Sequence, residues 1–167
     1  MSNKGQSKIF FFRQHGDYGY LSNFYDVTFF KDNFVFDNSE QCFMYMKNKI
    51  FDPFNIEHRN NILYESNPTK VKRLGRQVKN FNEEKWNKIR YKVMVEVLMC
   101  KFSQNEDLKH LLLDTKDSIL YEASPYDKIW GIGFNKDKAS ITDSSKYGQN
   151  LLGKALMEVR ASLSNLP

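Results

Sequence analysis

The segment that most constrains this fold is NEEKWNKIRYKVMVEVLMCKFSQN, residues 82–105. Asn82 fits an N-cap, and Glu83 and Glu84 fall in the first turn, where the helix dipole favours carboxylates. Trp86, Ile89, Val93, Val97 and Cys100 then recur at three- and four-residue spacing, the period of an amphipathic helix. A helix with one long apolar stripe has to be covered by other elements. With 167 residues, the chain is long enough to build that cover as one domain with its own core.

The rest of the chain supplies short strands first and helices afterwards. KIFFF (8–12) reads as a buried strand, and HGDYGYLSNFY (15–25) as a turn-rich stretch. VTFFKDNFVFDN (27–38) reads as a hairpin around Lys31, Asp32 and Asn33. A helix is expected over Ser39 to Phe51 and a short one over Asn55 to Leu63. Another is expected in NPTKVKRLGRQVKNF, with Asn67 as N-cap and Pro68 at the first helical position. EDLKHLLLDT is a short helix, SILYEAS (118–124) a strand, SPYDKIWGIGF (124–134) a loop, and GQNLLGKALMEVRASLSNL a closing helix. The pattern predicts an α+β fold, a small antiparallel sheet packed against a mostly helical single domain over residues 1–167, with 1–7 flexible.

The net charge of +5 favours an anionic partner, a phosphate group or nucleic acid, although a merely soluble basic surface would show the same balance. Aromatic residues reach 15%, more than a core alone asks for and suited to stacking on a base or sugar. Cys42 and Cys100 lie in apolar helical patterns and read as buried free thiols. His15, His58 and His110 have no zinc spacing, so no metal is implied. MSNKGQSK lacks the apolar stretch of a secretory signal, and no apolar run approaches membrane length. A cytoplasmic, reducing setting is the expectation.

Within SEQCFMYMK (39–47), Glu40 and Lys47 stand seven residues apart. At about 100° per residue they fall within roughly 20° of each other, on one face two turns apart. An acid and an amine on one stripe can act on one atom. Each also has an ordinary use, Glu40 as a first-turn carboxylate and Lys47 as a chain reaching out from a core edge. Spacing does not choose between these. Ser22, Asn23, Phe24 and Tyr25 mix small, polar and aromatic groups, as a pocket for a planar ligand would, and equally as a self-capping turn would. Asp127, Trp130, Gly131 and Gly133 place a carboxylate and an indole beside flexible backbone; a tight turn with a core Trp reads the same way. Lys70, Lys72, Arg73, Arg76 and Lys79 surround Gly75, either as a solvated face or as a phosphate-tracking patch.

These blocks, taken in order, resemble the YbiA-like, or NADAR, family of N-glycosidases. The resemblance runs through DYGYLSNF (17–24), SEQCFMYMK, LGR (74–76), a spaced Trp86, Arg90, Val93, Met94, Lys101 and Phe102, LLLDT (111–115), YDKIWGIG (126–133) and NLLGKALMEVR (150–160). It implies a small α+β domain, a monomer without metal or redox cofactor, that cleaves N-glycosidic bonds to ribose. The implied substrates are ADP-ribose on a base, notably guanine in nucleic acid, or ribosylamino-pyrimidine phosphates of the riboflavin pathway. A non-catalytic module binding ADP-ribose or nucleic acid is a third reading, which Glu40, Lys47 and Asp127 together argue against.

On this resemblance Glu40 exchanges the proton of the departing base, Lys47 attacks C1, and Asp127 is the second carboxylate. Trp130 and Phe24 stack on the base, Asn23 binds ribose hydroxyls, Arg13 takes phosphates, and Tyr18, Gly19, Ser22 and Gly131 line the substrate. Two departures bear on substrate choice. Gln41-Cys42 stands where many relatives carry His-Tyr, and Ile132 stands where pathway-type members often carry Asp.

Overall fold

The structure is a computed structural model and describes residues 5–166. The described chain forms two compact units, one from the segment ending at Ser22 together with Glu106 onward, the other Asn23–Asn105. Of the expected flexible stretch 1–7, residues 1–4 lie outside the described residues. Ser7 is tied down, its carbonyl accepting from Ile119 N at 2.8 Å.

In the Asn23–Asn105 unit, β2 (Phe29–Lys31) and β3 (Phe34–Phe36) form the expected antiparallel hairpin, Phe29 opposite Phe36. Asp32 and Asn33 make its two-residue turn with φ of 52° and 65°, the left-handed pair that matches strand twist. Phe29, Phe36 and Tyr45 then pack ring to ring at tilted angles, centroids 5.3–5.8 Å apart.

Helix α1 (Ser39–Phe51) runs through the middle of this unit and buries residues on every side. Around it lie α2 (Ile56–Leu63), α3 (Pro68–Gly75) and α4 (Glu83–Ser103). Asn38, Asn55, Asn67 and Asn82 each accept a first-turn amide of the helix they precede, satisfying donors that a helix cannot satisfy itself. The α3 helix stops at Gly75, well before Phe81, because Arg76 and Gln77 turn away and Asn80 adopts a φ of 57°.

In the other unit β1 (Lys8–Phe11) pairs with β4 (Ile119–Glu122) in parallel, Lys8 opposite Ile119. The antiparallel expectation therefore describes the hairpin alone. Strands so far apart in sequence need no tight turn between them, and nothing in their local pattern sets direction. Helix α5 (Glu106–Asp114) follows the expected segment; α6 (Lys136–Ser140) was not expected. Helix α7 (Leu151–Ser164) buries Leu152, Leu156, Val159 and Leu163. Its first residues are anchored by Asn150, whose amide donates to Leu120 O at 2.8 Å and accepts from Glu122 N at 3.0 Å. Among the described residues no helix is long and apolar enough to cross a membrane.

Candidate active site

Two residues hold the start of α1. Asn38 Oδ1 accepts Gln41 N at 2.9 Å, and the Asn23 carbonyl accepts Glu40 N at 3.0 Å. The second bond sets Asn23 directly at the turn that carries Glu40. Glu40 itself is only 8% exposed. Asn23 is also buried, with its amide nitrogen 3.6 Å from the Met94 thioether and its Oδ1 without a hydrogen-bond partner. A buried amide with one weak contact and one orphaned oxygen is uncommon unless a ligand completes it.

Two turns along α1, the half-buried Lys47 donates to the Gly75 carbonyl at 2.8 Å, and its Nζ lies 4.5 Å from the Phe81 ring centroid. Burial lowers its pKa, the Glu40 charge opposes that, and Arg76 adds to the lowering. The net direction is downward, since burial outweighs the attraction of the carboxylate.

Gly75 makes this contact possible. A Cβ there would stand 1.9 Å from Met44 Sδ and 2.9 Å from its Cγ. Gly75 therefore admits the close approach of α1, which brings the α3 carbonyl within reach of Lys47. Phe81 escaped the sequence reading. Its signal was an aromatic residue just before the Asn82 cap, a position that helix patterning ignores.

Gln41, one of the departures from the relatives' pattern, is fully buried and structural. Its Nε2 donates to the carbonyls of Ile62, Leu63 and Glu65 at 3.0–3.1 Å, and its Oε1 accepts from Asp37 N at 2.7 Å. It closes the C-terminal end of α2, where carbonyls lack helical partners. Phe24, the remaining candidate in this unit, is half-buried.

The other unit holds the remaining candidates in three places. Asp127 Oδ1 accepts from Ile129 N and Trp130 N, both at 2.8 Å, so its carboxylate shapes the loop that carries Trp130. The carbonyls of that loop accept the first amides of α7: Trp130 O from Leu152 N and Ile129 O from Leu151 N, each at 3.1 Å. Gly131 is crowded by the chain itself, since a Cβ would meet the Asp127 and Glu122 carbonyls at 2.9 Å. Tyr18, Gly19 and Ser22 belong to a 3-10 turn, Gly19–Leu21 and its flanks, with Gly19 and Ser22 buried and Tyr18 40% exposed. Arg13 is exposed in the turn after β1, with its guanidinium 5.2 Å over the Phe12 ring. Ile132 is wholly buried with Ala123 and Ala139, against Phe10, Tyr121, Phe134 and Tyr147. An aspartate at that position would sit in an apolar cluster.

The NADAR domain family model matches residues 10–164. The chain is 37% identical to N-glycosidase R617 of Acanthamoeba polyphaga mimivirus, over 95% of this chain and 91% of that protein. It is 31% identical to N-glycosidase YbiA of Shigella boydii, over 93% and 88%. It is 30% identical to Riboflavin biosynthesis protein VVA0006 of Vibrio vulnificus, spanning 97% of this chain and only 40% of that longer protein. The solved structure of Escherichia coli YbiA superposes with a TM-score of 0.77 at 30% identity, covering 95% of this chain and 86% of that one. By family match, by relatives aligned over most of its length and by fold, the chain belongs to the NADAR domain family.

Proposed function

We propose that this protein is an N-glycosidase that hydrolyses the bond between ribose and a base, and that its substrate is ADP-ribose carried on guanine in nucleic acid. The observation that carries the reading is Lys47, an amine made less basic by burial on the helical face it shares with the buried Glu40. Relatives named N-glycosidase, aligned over nearly the whole chain, support the reaction class.

In this account the neutral Lys47 amine attacks C1 and forms the N–C1 bond as the C1–base bond breaks. The base leaves with the electron pair and takes a proton from Glu40, which recovers one from the attacking nitrogen. The C1–O bond of the ribose ring then opens to a protonated imine as its oxygen takes the proton held by Glu40 and becomes a hydroxyl; Glu40 recovers a proton from the water that adds next. Water adds to C1, the amine departs, and free ADP-ribose leaves; one water is consumed per bond cleaved. The orphaned Asn23 oxygen accepts a ribose hydroxyl. The resemblance supplies the remaining roles: Asp127 steadies charge at C1, Trp130 and Phe24 stack on the base, Arg13 takes phosphates, and Tyr18, Gly19, Ser22 and Gly131 line the substrate.

The name of the Vibrio vulnificus relative favours a second substrate, the ribosylamino-pyrimidine phosphates. Ile132, standing where pathway-type members often carry Asp, speaks against it. The test is to offer purified protein ADP-ribosylated DNA and, separately, the ribosylamino-pyrimidine phosphate, following base release by mass spectrometry. Release from the modified DNA alone supports the reading; release from the pyrimidine phosphate alone replaces it.

A further inference from the structure

The α3 helix and the turn behind it carry Lys70, Lys72, Arg73, Arg76 and Lys79, while residues 66–82 contain no Asp or Glu. All five side chains are exposed, and none forms an ion pair among the described residues. The helix dipole accounts for Lys72, Arg73 and Arg76, which stand in or just after the last turn. It does not account for Lys70 in the first turn, where a cation is unfavourable, nor for Lys79 beyond the helix. Five uncompensated cations repel one another, a cost that an anionic partner removes.

The patch continues into aromatic residues. Gly75, between Arg73 and Arg76, accepts the Lys47 hydrogen bond, and Lys47 lies over Phe81. Phe81 packs edge-on against Phe51 at 5.2 Å and stays 43% exposed, while Lys85 sits 5.6 Å over the Phe51 ring. An exposed ring, Phe81, therefore follows the run of cations and is backed by the buried Phe51. That arrangement suits unpaired nucleic acid, whose phosphates follow cations while its bases pack on rings. A polyanion without bases meets only the charge.

We propose that this face, Lys72, Arg73, Arg76 and Lys79 with Phe81, docks a single strand of nucleic acid, its phosphates along the cations and one base against Phe81. The proposal rests on the reading in which the modified base belongs to nucleic acid, and it says which surface holds the flanking strand.

The test uses the whole protein and a fluorescein-labelled, unmodified single-stranded DNA of about 20 nucleotides, long enough to span such a groove. Anisotropy is followed across a salt series. Replacing three exposed cations together (Lys72→Ala, Arg73→Ala, Lys79→Ala) weakens binding about tenfold or more and reduces the salt slope by about two, near 0.7 per lost phosphate contact. Phe81→Leu weakens binding about tenfold and leaves the salt slope unchanged. Unchanged affinity in either variant, with circular dichroism matching wild type, overturns the proposal. So does equal competition by polyglutamate or phosphatidylserine vesicles, which carry charge without bases. The strand holds no ADP-ribose, so the result stands whether or not the glycosidase reading survives.

Discussion

Glu40 and Lys47 are coupled by charge, and that coupling gives predictions at the level of single residues. Glu40→Gln keeps the shape of the side chain and cannot exchange a proton. Turnover should fall by at least about 100-fold, while the melting temperature holds within a few degrees. Wild-type rates in that folded variant remove Glu40 from the mechanism. The same substitution removes the one influence that raises the Lys47 pKa. The pH at half-maximal borohydride trapping of Lys47 should therefore move down, because burial and Arg76 then act unopposed. An upward move would show that Glu40 does not act on Lys47 through its charge. That Glu40 and Lys47 share one face of a helix was legible from a seven-residue spacing. The loss of basicity was not, since it depends on burial and on Arg76, both set by packing.

At the level of elements, α1 was legible almost to the residue, because its cap, first-turn carboxylate and apolar pattern are all local. That it buries residues on every side was not, since patterning reports one face at a time. Gln41 shows the consequence. In the sequence it is a departure near Glu40; in the structure it joins α1 to the end of α2 through three hydrogen bonds and accepts a fourth from Asp37 N. Gln41→Ala removes one donor from three carbonyls and the acceptor of one amide. Urea unfolding should show a loss of roughly 2–4 kcal/mol, with Lys47 still reactive in whatever fraction stays folded. A loss below about 0.5 kcal/mol would mean water replaces Gln41 at no cost. Asp127 teaches the reverse lesson. Its sequence context suggested chemistry, and its observed bonds also give it an ordinary use in turning the loop.

At the scale of the whole molecule, the α+β class was legible and the parallel β1–β4 pair was not, because strand direction across a long connection is decided by the packing of what lies between. Lys101 carries a property of the entire fold. It is fully buried between the Tyr25 and Phe102 rings, and burial pushes its pKa down from 10.5 to about 7. Between those values the unfolded chain binds a proton that the folded chain does not, so stability should rise with pH. Raised thiol pKa values at Cys42 and Cys100 oppose this at higher pH, which confines the measurement to about pH 7–8.5. Lys101→Met should flatten that rise in urea unfolding; an unchanged slope would assign it to other groups. The central claim is the covalent one. Wild-type protein, Glu40→Gln and Lys47→Arg are each mixed with ADP-ribosylated DNA and borohydride, and the intact masses are read within one turnover. The account predicts a single reduced ADP-ribose adduct on wild type, mapped to SEQCFMYMK, slowed in Glu40→Gln and absent from Lys47→Arg, whose guanidinium stays protonated. Slow labelling spread over many lysines, or an adduct that persists in Lys47→Arg, would contradict it.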